Sequence, residues 1–232
     1  MTVGLFDSGE GGVNLLSHLR KRNAECDVFL LCDRANSPYG TKSQEELSSI
    51  VGKNIALLRA LGAEIIIAAC CTACTALPYI EGAEAVTSTL ALTAKRAREL
   101  SPCGKIAVLA TEATVRSGAF SDALGGDALE IPAQPLVRMI EDGVRDGNIG
   151  RSEREYLETL LEKCRGADAV ILGCTHFSSL RGEITRMAKK RGIRTVVDSA
   201  EVGASSVERS IGGGGRSYII NTRMKKCPNG RR

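Results

Sequence analysis

The sequence predicts an α/β fold with mainly parallel sheets. Apolar runs of three to five residues alternate with longer segments whose apolar residues recur at helical spacing. Such alternation is typical of parallel sheets covered by helices, and these folds bind ligands beyond the carboxyl ends of their strands. A repeated strand-end motif also divides the chain into two similar halves.

Seven strands are predicted along the chain. In order they are Val3–Phe6, Val28–Cys32, Ile65–Ala69, Ile106–Ala110, Ala169–Leu172, Thr195–Val197 and Tyr218–Asn221. The clearest predicted helix is Ser43–Leu61, because a serine cap is followed by glutamates and the pattern ends before Gly62. Further helices are predicted at Leu90–Leu100, Arg151–Cys164 and Ser178–Lys190.

The internal repeat predicts two lobes. Cys70 follows the run Ile-Ile-Ile-Ala-Ala, and Cys174, 104 positions later, follows Val-Ile-Leu-Gly. Two strand starts, Val3 and Ile106, are 103 positions apart. Chance is the alternative explanation, since buried strands resemble one another. We interpret the repeat as two pseudosymmetric lobes, residues 1–95 plus about 208–232 and residues 96–207. Each would bring one strand-end cysteine to the cleft between them.

Composition and charge indicate a globular protein and argue against binding of nucleic acid. Hydrophobic residues make up 43% of the 232 residues and charged residues 25%, which are ordinary globular values. The net charge of +4 is concentrated after residue 215, so the body of the chain has no basic footprint for nucleic acid. No signal-peptide pattern and no membrane-spanning apolar run is present, which predicts a cytoplasmic protein. Its nine cysteines are expected to be thiols there.

Polar residues follow the first two predicted strands. Asp7, Ser8 and Gly9 precede a glycine pair and a helix, so they could hold an anion or simply cap that helix. The glycines do not form a dinucleotide fingerprint, and no P-loop lysine accompanies them. The segment Pro38–Thr41 is either a plain turn or a wall of the same site.

The cysteine pair Cys71 and Cys74 has a C-x-x-C spacing. It could be a redox pair or half of a zinc site completed by Cys174 and His176, although this spacing fits no common zinc finger. The alternative for Cys74 is a core-facing position. His176 is one of two histidines and lies two residues after a strand-end cysteine, which favours a functional role for it.

The motifs, in their order, resemble those of the glutamate racemases within the aspartate/glutamate racemase superfamily, over about residues 3–207. The matching segments are Asp7-Ser8-Gly9, Pro38-Tyr39-Gly40-Thr41, Ala69-Cys70, Thr72-Ala73, Gly173-Cys174-Thr175-His176 and Asp198-Ser199-Ala200-Glu201. The resemblance implies two α/β lobes, racemisation of glutamate without a cofactor or metal, and supply of D-glutamate for peptidoglycan. It also implies a possible homodimer, with no nucleic-acid or membrane partner.

The resemblance implies a role for individual residues as well. Cys70 and Cys174 would be the acid/base thiols, assisted by Asp7 and His176. Substrate would be held by Asp7, Ser8, Tyr39, Gly40, Cys71, Thr72, Thr111, Thr114, Thr175 and His176. Racemisation removes a proton from one face of the α-carbon and returns one to the other, so two facing thiols suit it. A thiol pKa of about 8.5 is near enough to neutral for both protonation states.

The sequence departs from the family at several positions. Cys71 stands where the family has a substrate-binding Asn, Phe177 where it has Tyr, and Arg138 where it often has Glu after Pro-Leu-Val. A terminal helix common in the family is not expected after Asn221. Two alternatives follow: a racemase of aspartate or a related acidic amino acid, and a catalytically silent amino-acid-binding protein.

Overall fold

The computed structural model describes residues 1–22, 26–126, 128–207 and 215–222. Within these ranges the strands form two sheets in which every pairing is parallel. The predicted α/β class is therefore confirmed. No helix in the described ranges has both the length and the apolar character needed to cross a membrane.

The first sheet is built from both ends of the described chain. Its elements and the first helices are β1 (Thr2–Asp7), α1 (Gly12–Lys21), β2 (Asp27–Cys32), α2 (Gln44–Ala60), β3 (Ile65–Ala68), α3 (Cys71–Cys74), β4 (Thr87–Ser88) and α4 (Thr89–Leu100). The strand order is β4-β3-β1-β2, and a strand formed by Ser217–Asn221 adds to the β2 edge.

The second sheet lies in the middle of the chain. Its elements are β5 (Ile106–Ala110), α5 (Glu112–Ser117), α6 (Ala119–Leu124), β6 (Leu129–Pro132), α7 (Gln134–Glu141), α8 (Arg151–Lys163), β7 (Ala169–Gly173), α9 (Arg181–Lys189), β8 (Thr195–Asp198) and α10 (Ser199–Ser205). The strand order is β6-β5-β7-β8. The last described strand, β9 (Ser217–Asn221), returns to the first sheet.

Local chemistry explains the elements that the sequence predicts well. Ser43 accepts the N–H of Glu46, whose carboxylate accepts the N–H of Ser43, so a complete capping box begins α2. The strands β5 and β7 are buried along their whole length, as expected for central parallel strands covered by helices. The predicted strands and the helix α2 are confirmed to within two residues at each end.

The elements missed by the sequence prediction are short or lie at sheet edges. The strand β4 has two residues, and β6 has one buried residue, Ile131, and exposed residues at both ends instead of an apolar buried run. The helices α5 and α6 have six residues each, too few for a helical pattern to emerge. The predicted helix over 178–190 begins instead as a 3₁₀ turn, Thr175–Leu180, before α9.

The two sheets share one apolar core. The largest cluster of buried residues contains Phe6 and Ala68 of the first sheet together with Val108 and Ile171 of the second. The helix α4, between the two sheets in sequence, packs on α3 of the first part and on β7, β8 and α10 of the second. Apolar burial therefore holds the two sheets together in addition to covering each one.

Candidate active site

The carboxyl ends of the central strands meet at a small cavity between the two sheets. Asp7 ends β1, Cys70 follows β3, Thr111 follows β5 and Cys174 follows β7. The cavity measures about 50 Å³, well below the roughly 300 Å³ or more of most ligand sites, so the cleft is closed. A second cavity of about 590 Å³ shares Ser37, Glu141 and His176 with it and forms its approach from solvent.

Ten of the twelve predicted site residues line the cavity. They are Ser8, Tyr39, Gly40, Cys70, Cys71, Thr72, Thr111, Cys174, Thr175 and His176. The other two, Asp7 and Thr114, are fully buried directly behind the lining. Residues as far apart as Asp7 and His176 are thus brought to one place by the ends of four strands and the turn after β2.

Cys70 has a hydroxyl for its nearest polar partner. Its Sγ donates to Oγ of Ser8 at 3.7 Å, and the side chain is buried. Burial, together with the negative charge of Asp7, raises the pKa of the Cys70 thiol to about 12. The N–H of Ala73 and the Ser8 hydroxyl act in the opposite direction. In the closed cleft Cys70 is therefore a protonated thiol at neutral pH.

Cys174 has an imidazole for its nearest polar partner. Its Sγ lies 3.7 Å from Nδ1 of His176, and Nε2 of the same ring lies 3.5 Å from Oε1 of Glu141. Burial raises the pKa of Cys174 well above its usual range, and negative charge on Cys70, when ionised, and on Asp7 acts in the same direction. A thiol, an imidazole and a carboxylate thus form a row that leads from the cavity to its mouth.

Asp7 connects the two sheets at the site. One carboxylate oxygen accepts the N–H of Gly9 at 3.0 Å, and the other accepts the hydroxyl of Thr175 at 3.0 Å. Burial raises the pKa of Asp7, while the nearby His176 and the N–H groups of Gly9 and Gly12 lower it. The N-cap of α1 is Gly11, so neither Asp7 nor Ser8 takes the capping position that the alternative predicted.

Three threonine hydroxyls form a second connection between the sheets. Oγ1 of Thr72 lies 3.0 Å from those of Thr111 and Thr114, which are 2.9 Å from each other. Thr111 also caps α5 by accepting the N–H of Thr114. Each hydroxyl can donate once and accept twice, so the three can exchange partners without leaving a buried group unpaired.

The turn after β2 is a wall of the cavity. The hydroxyl of Tyr39 donates to Asp33 at 2.8 Å and accepts the side-chain N–H of Asn54 at 2.8 Å. Burial raises the pKa of Tyr39, and the Asp33 carboxylate raises it further. The phenol is therefore held in the first sheet, and the turn presents the ring of Tyr39 and the backbone of Gly40 to the cavity.

The two cysteines of the C-x-x-C pair have different surroundings. Cys71 lines the cavity, and burial together with the neighbouring thiols raises its pKa, which the Ser199 hydroxyl opposes. Cys74 points into the core, where its thiol donates to the carbonyl of Ala68 at 3.4 Å. This is the core-facing alternative for Cys74. Across the described part of the chain, no group of three or more His, Cys, Asp or Glu is arranged to hold a metal ion.

The helix α7, which the sequence pattern does not predict, supplies three cavity residues. Gln134, Val137 and Glu141 line the cavity, whereas Arg138 is exposed. Glu141 lies one helical turn after Arg138, and its carboxylate faces His176. The spacing of three and then four between these residues is the signal in the sequence, because it places them on one face of a helix. It can be used only once the segment is recognised as helical.

Gly11 allows the two sheets to approach closely. A Cβ atom at this position would lie 2.1 Å from Oγ1 of Thr175 and 2.9 Å from Nδ1 of His176. Real Cβ atoms do not come so near to other atoms, so glycine is required for the closed cleft. Gly11 thus serves close approach between the sheets, whereas Gly12 allows α1 to pack against Leu30 and Asp7 of the first sheet.

Comparison with known proteins gives consistent matches. The family model described as Asp/Glu/Hydantoin racemase matches residues 14–207. The chain is 35% identical over 226 residues to the glutamate racemase of Aquifex pyrophilus, covering 94% of this chain and 87% of the relative.

Solved structures of two glutamate racemases resemble this fold. The structure from Aquifex pyrophilus has a TM-score of 0.75 at 31% identity, covering 97% of this chain and 91% of the other. The structure from Thermus thermophilus, in complex with beta-chloro-D-alanine, has a TM-score of 0.79 at 26% identity and covers 95% and 86% of the two chains. The chain therefore belongs to the Asp/Glu/hydantoin racemase family.

Proposed function

We propose that this protein interconverts L- and D-glutamate by using Cys70 and Cys174 as its two acid/base groups. The observation that carries the proposal is that two thiols, each at a strand end of a different sheet, line the same closed cavity. Relatives at 30–36% identity that are named glutamate racemases support glutamate as the substrate.

The reaction needs one thiolate and one thiol. The thiolate takes the α-proton from one face of the substrate, so that a C–H bond breaks, an S–H bond forms and the electron pair stays on the α-carbon. The opposite thiol then gives its proton to the other face of that carbon. The product is the mirror image, no electrons are gained or lost, and the two cysteines have exchanged protonation states. The reverse direction uses the same groups in opposite roles.

Asp7 and His176 are proposed to set these protonation states. Each thiol has a raised pKa in the closed cleft, so a thiolate needs a nearby positive charge or a proton acceptor. His176 contacts Cys174 and can accept its proton, with Glu141 stabilising the imidazolium that results. Near Cys70, the buried carboxylate of Asp7 is suited to hold the substrate ammonium, whose charge favours the thiolate.

The carbanion is proposed to be stabilised by hydroxyl groups and backbone N–H groups around the substrate carboxylate. Ser8, Thr72 and Thr175 line the cavity and carry the hydroxyls for this role. Such donors act strongly in a site from which water is excluded, because they are already oriented and little solvent screens them. The closed cleft therefore has to open for substrate and close again for chemistry.

From the resemblance to glutamate racemases we also propose the cofactor requirement, the metabolic role, the location and the assembly of the protein. The reaction would need no cofactor and would supply D-glutamate for peptidoglycan synthesis in the cytoplasm, with a small-molecule substrate and a homodimer as the assembly. The division of the chain into residues 1–95 plus about 208–232 and residues 96–207 also stays a prediction. Light scattering of the purified protein tests the dimer.

The decisive experiment is exchange of the α-hydrogen in D₂O. Purified protein is incubated with L- or D-glutamate, and deuterium at the α-carbon is measured by mass spectrometry together with the appearance of the opposite enantiomer. We expect both for either enantiomer. A silent binding protein would exchange nothing, and faster exchange of aspartate than of glutamate would identify the aspartate alternative.

A further inference from the structure

The helix α7 runs along the cavity and marks its two ends. Gln134, Val137 and Glu141 have a spacing of three and then four residues, which places them on one face of the helix. Glu141 faces His176 at one end. Gln134 is seven residues earlier, a rise of about 10 Å along an α-helix. It therefore lies at the end of the cavity away from the imidazole.

The side chain of Gln134 is available to a ligand. Its Oε1 lies 3.9 Å from where a Cβ atom would stand on Gly40, so it extends over the turn after β2. Its carboxamide has no hydrogen-bond partner among the residues that the structure describes. Gln44, the other glutamine of the chain, also begins a helix but lies 3.5 Å from both Oγ of Ser48 and the carbonyl of Thr75.

The lining of the cavity also shows which kind of donor an acidic substrate would meet. No lysine or arginine is among the described residues that line it, and Gln134 is the one lining residue with a side-chain amide. Apart from His176 at the other end, a second carboxylate entering this cavity therefore depends on neutral donors. An amide N–H is a good donor to a carboxylate and, unlike an ammonium group, adds no charge to a closed site.

We propose that Gln134 binds the side-chain carboxylate of the substrate and thereby determines specificity for an acidic amino acid. The inference rests on the proposed function, because the reacting carbon has to lie between Cys70 and Cys174. The side-chain carboxyl carbon of glutamate is three bonds from that carbon and extends toward the end of the cavity occupied by Gln134. The carboxyl carbon of aspartate, only two bonds away, reaches Gln134 less well.

The test measures kcat and KM for glutamate in three variants. Gln134→Met keeps the length of the side chain but loses the donor, and Gln134→Glu keeps the shape but places a carboxylate against the substrate. Gln44→Met is the matched control at the first position of another helix. We expect KM to rise about 10-fold in Gln134→Met, equivalent to about 1.4 kcal/mol. The rise should be larger in Gln134→Glu, with kcat changed less than about threefold and the control unchanged.

Other outcomes separate this inference from the proposed function. An unchanged KM in Gln134→Met, or a fall in kcat alone, overturns the inference while leaving racemisation in place. If the wild type prefers aspartate, the proposal that glutamate is the substrate is wrong. The KM for aspartate in Gln134→Met and in the control then tests the inference by the same criterion. If the wild type racemises neither, calorimetric titration with D-glutamate decides: weaker binding by Gln134→Met supports the inference, whereas equal binding or none by the wild type overturns it.

Discussion

The two cysteines occupy similar places in their sheets and have different neighbours. Each follows the end of a central parallel strand and is followed, after one or two residues, by a threonine that lines the cavity. Cys70 contacts a serine hydroxyl beside a buried carboxylate, whereas Cys174 contacts an imidazole that reaches a carboxylate at the mouth of the cavity. The two halves therefore share an architecture, but the groups that contact their cysteines differ.

The ratio of kcat/KM for the two enantiomers does not report this difference. L- and D-glutamate have equal free energies in water, so the equilibrium constant is one and kcat/KM is the same in both directions for every variant. A defect on one side of the site slows racemisation equally from either enantiomer. Exchange of the α-hydrogen with solvent does not have this constraint, because it reports the first proton transfer of each direction separately.

The largest expected effect is that of removing either thiol. Cys70→Ser and Cys174→Ser should each lower racemisation by at least about 10³-fold, because general acid/base catalysis of this kind contributes up to about 10⁴-fold and a serine hydroxyl is a far weaker acid. Each variant should still exchange deuterium into one enantiomer, and the two variants should act on opposite enantiomers. Cys103→Ser, at an exposed position, is the control. Racemisation near the wild-type rate in either variant would refute the two-thiol mechanism.

The pH profile should reveal the raised thiol pKa values. In the proposed mechanism the base is a thiolate, and burial raises the pKa of Cys70 to about 12 and that of Cys174 well above its usual range. Below these pKa values the thiolate fraction grows with pH, so kcat/KM, which reports the free enzyme, should rise up to about tenfold per unit between pH 6.5 and 8.5. Circular dichroism of the product gives the rates. A plateau that begins below pH 7 would mean that a thiol is already ionised in the free enzyme.

A smaller effect is expected at Cys71, which has no counterpart in the other half. An amide there can donate to a zwitterionic substrate, whereas a thiol is a weak donor. Cys71→Asn should therefore lower the KM for glutamate by several-fold, somewhat less than the one to two decades that a full charged hydrogen bond of about 1.5–3 kcal/mol would give. Cys71→Ala separates the effect of space from that of hydrogen bonding. An unchanged KM in Cys71→Asn would indicate that another group already makes the contact.

The smallest expected effect is that of the carboxylate beside His176. Glu141 is 57% exposed, so water screens its interaction with the imidazole. Exposed ion pairs contribute up to about 1 kcal/mol, which limits the loss of kcat/KM in Glu141→Gln to about fivefold. Arg138→Gln, one turn earlier on the exposed side of α7, should leave it unchanged. A loss of a hundredfold in Glu141→Gln would show that Glu141 takes part in proton transfer directly.

Much of the site could be predicted because strand ends carry strong local signals. Asp7, Cys70 and Cys174 each follow a buried apolar run, and parallel strands bring their carboxyl ends to one edge. Glu141 and Gln134 could not be found in this way, since both belong to α7, an eight-residue helix whose proline near the start reads as a turn. The position of a side chain on a short helix depends on packing that the sequence does not display.

The strand β9 has a consequence for how this chain is made. It pairs with β2 at the edge of the first sheet, yet it is synthesised after every strand of the second sheet. Until residues 217–221 have been synthesised, β2 lacks its β9 partner, and the unpaired backbone groups on that side can pair with other chains. The pairing of residues near 30 with residues near 220 is among the least local contacts of the described fold, and such contacts form slowly because a long loop has to close first.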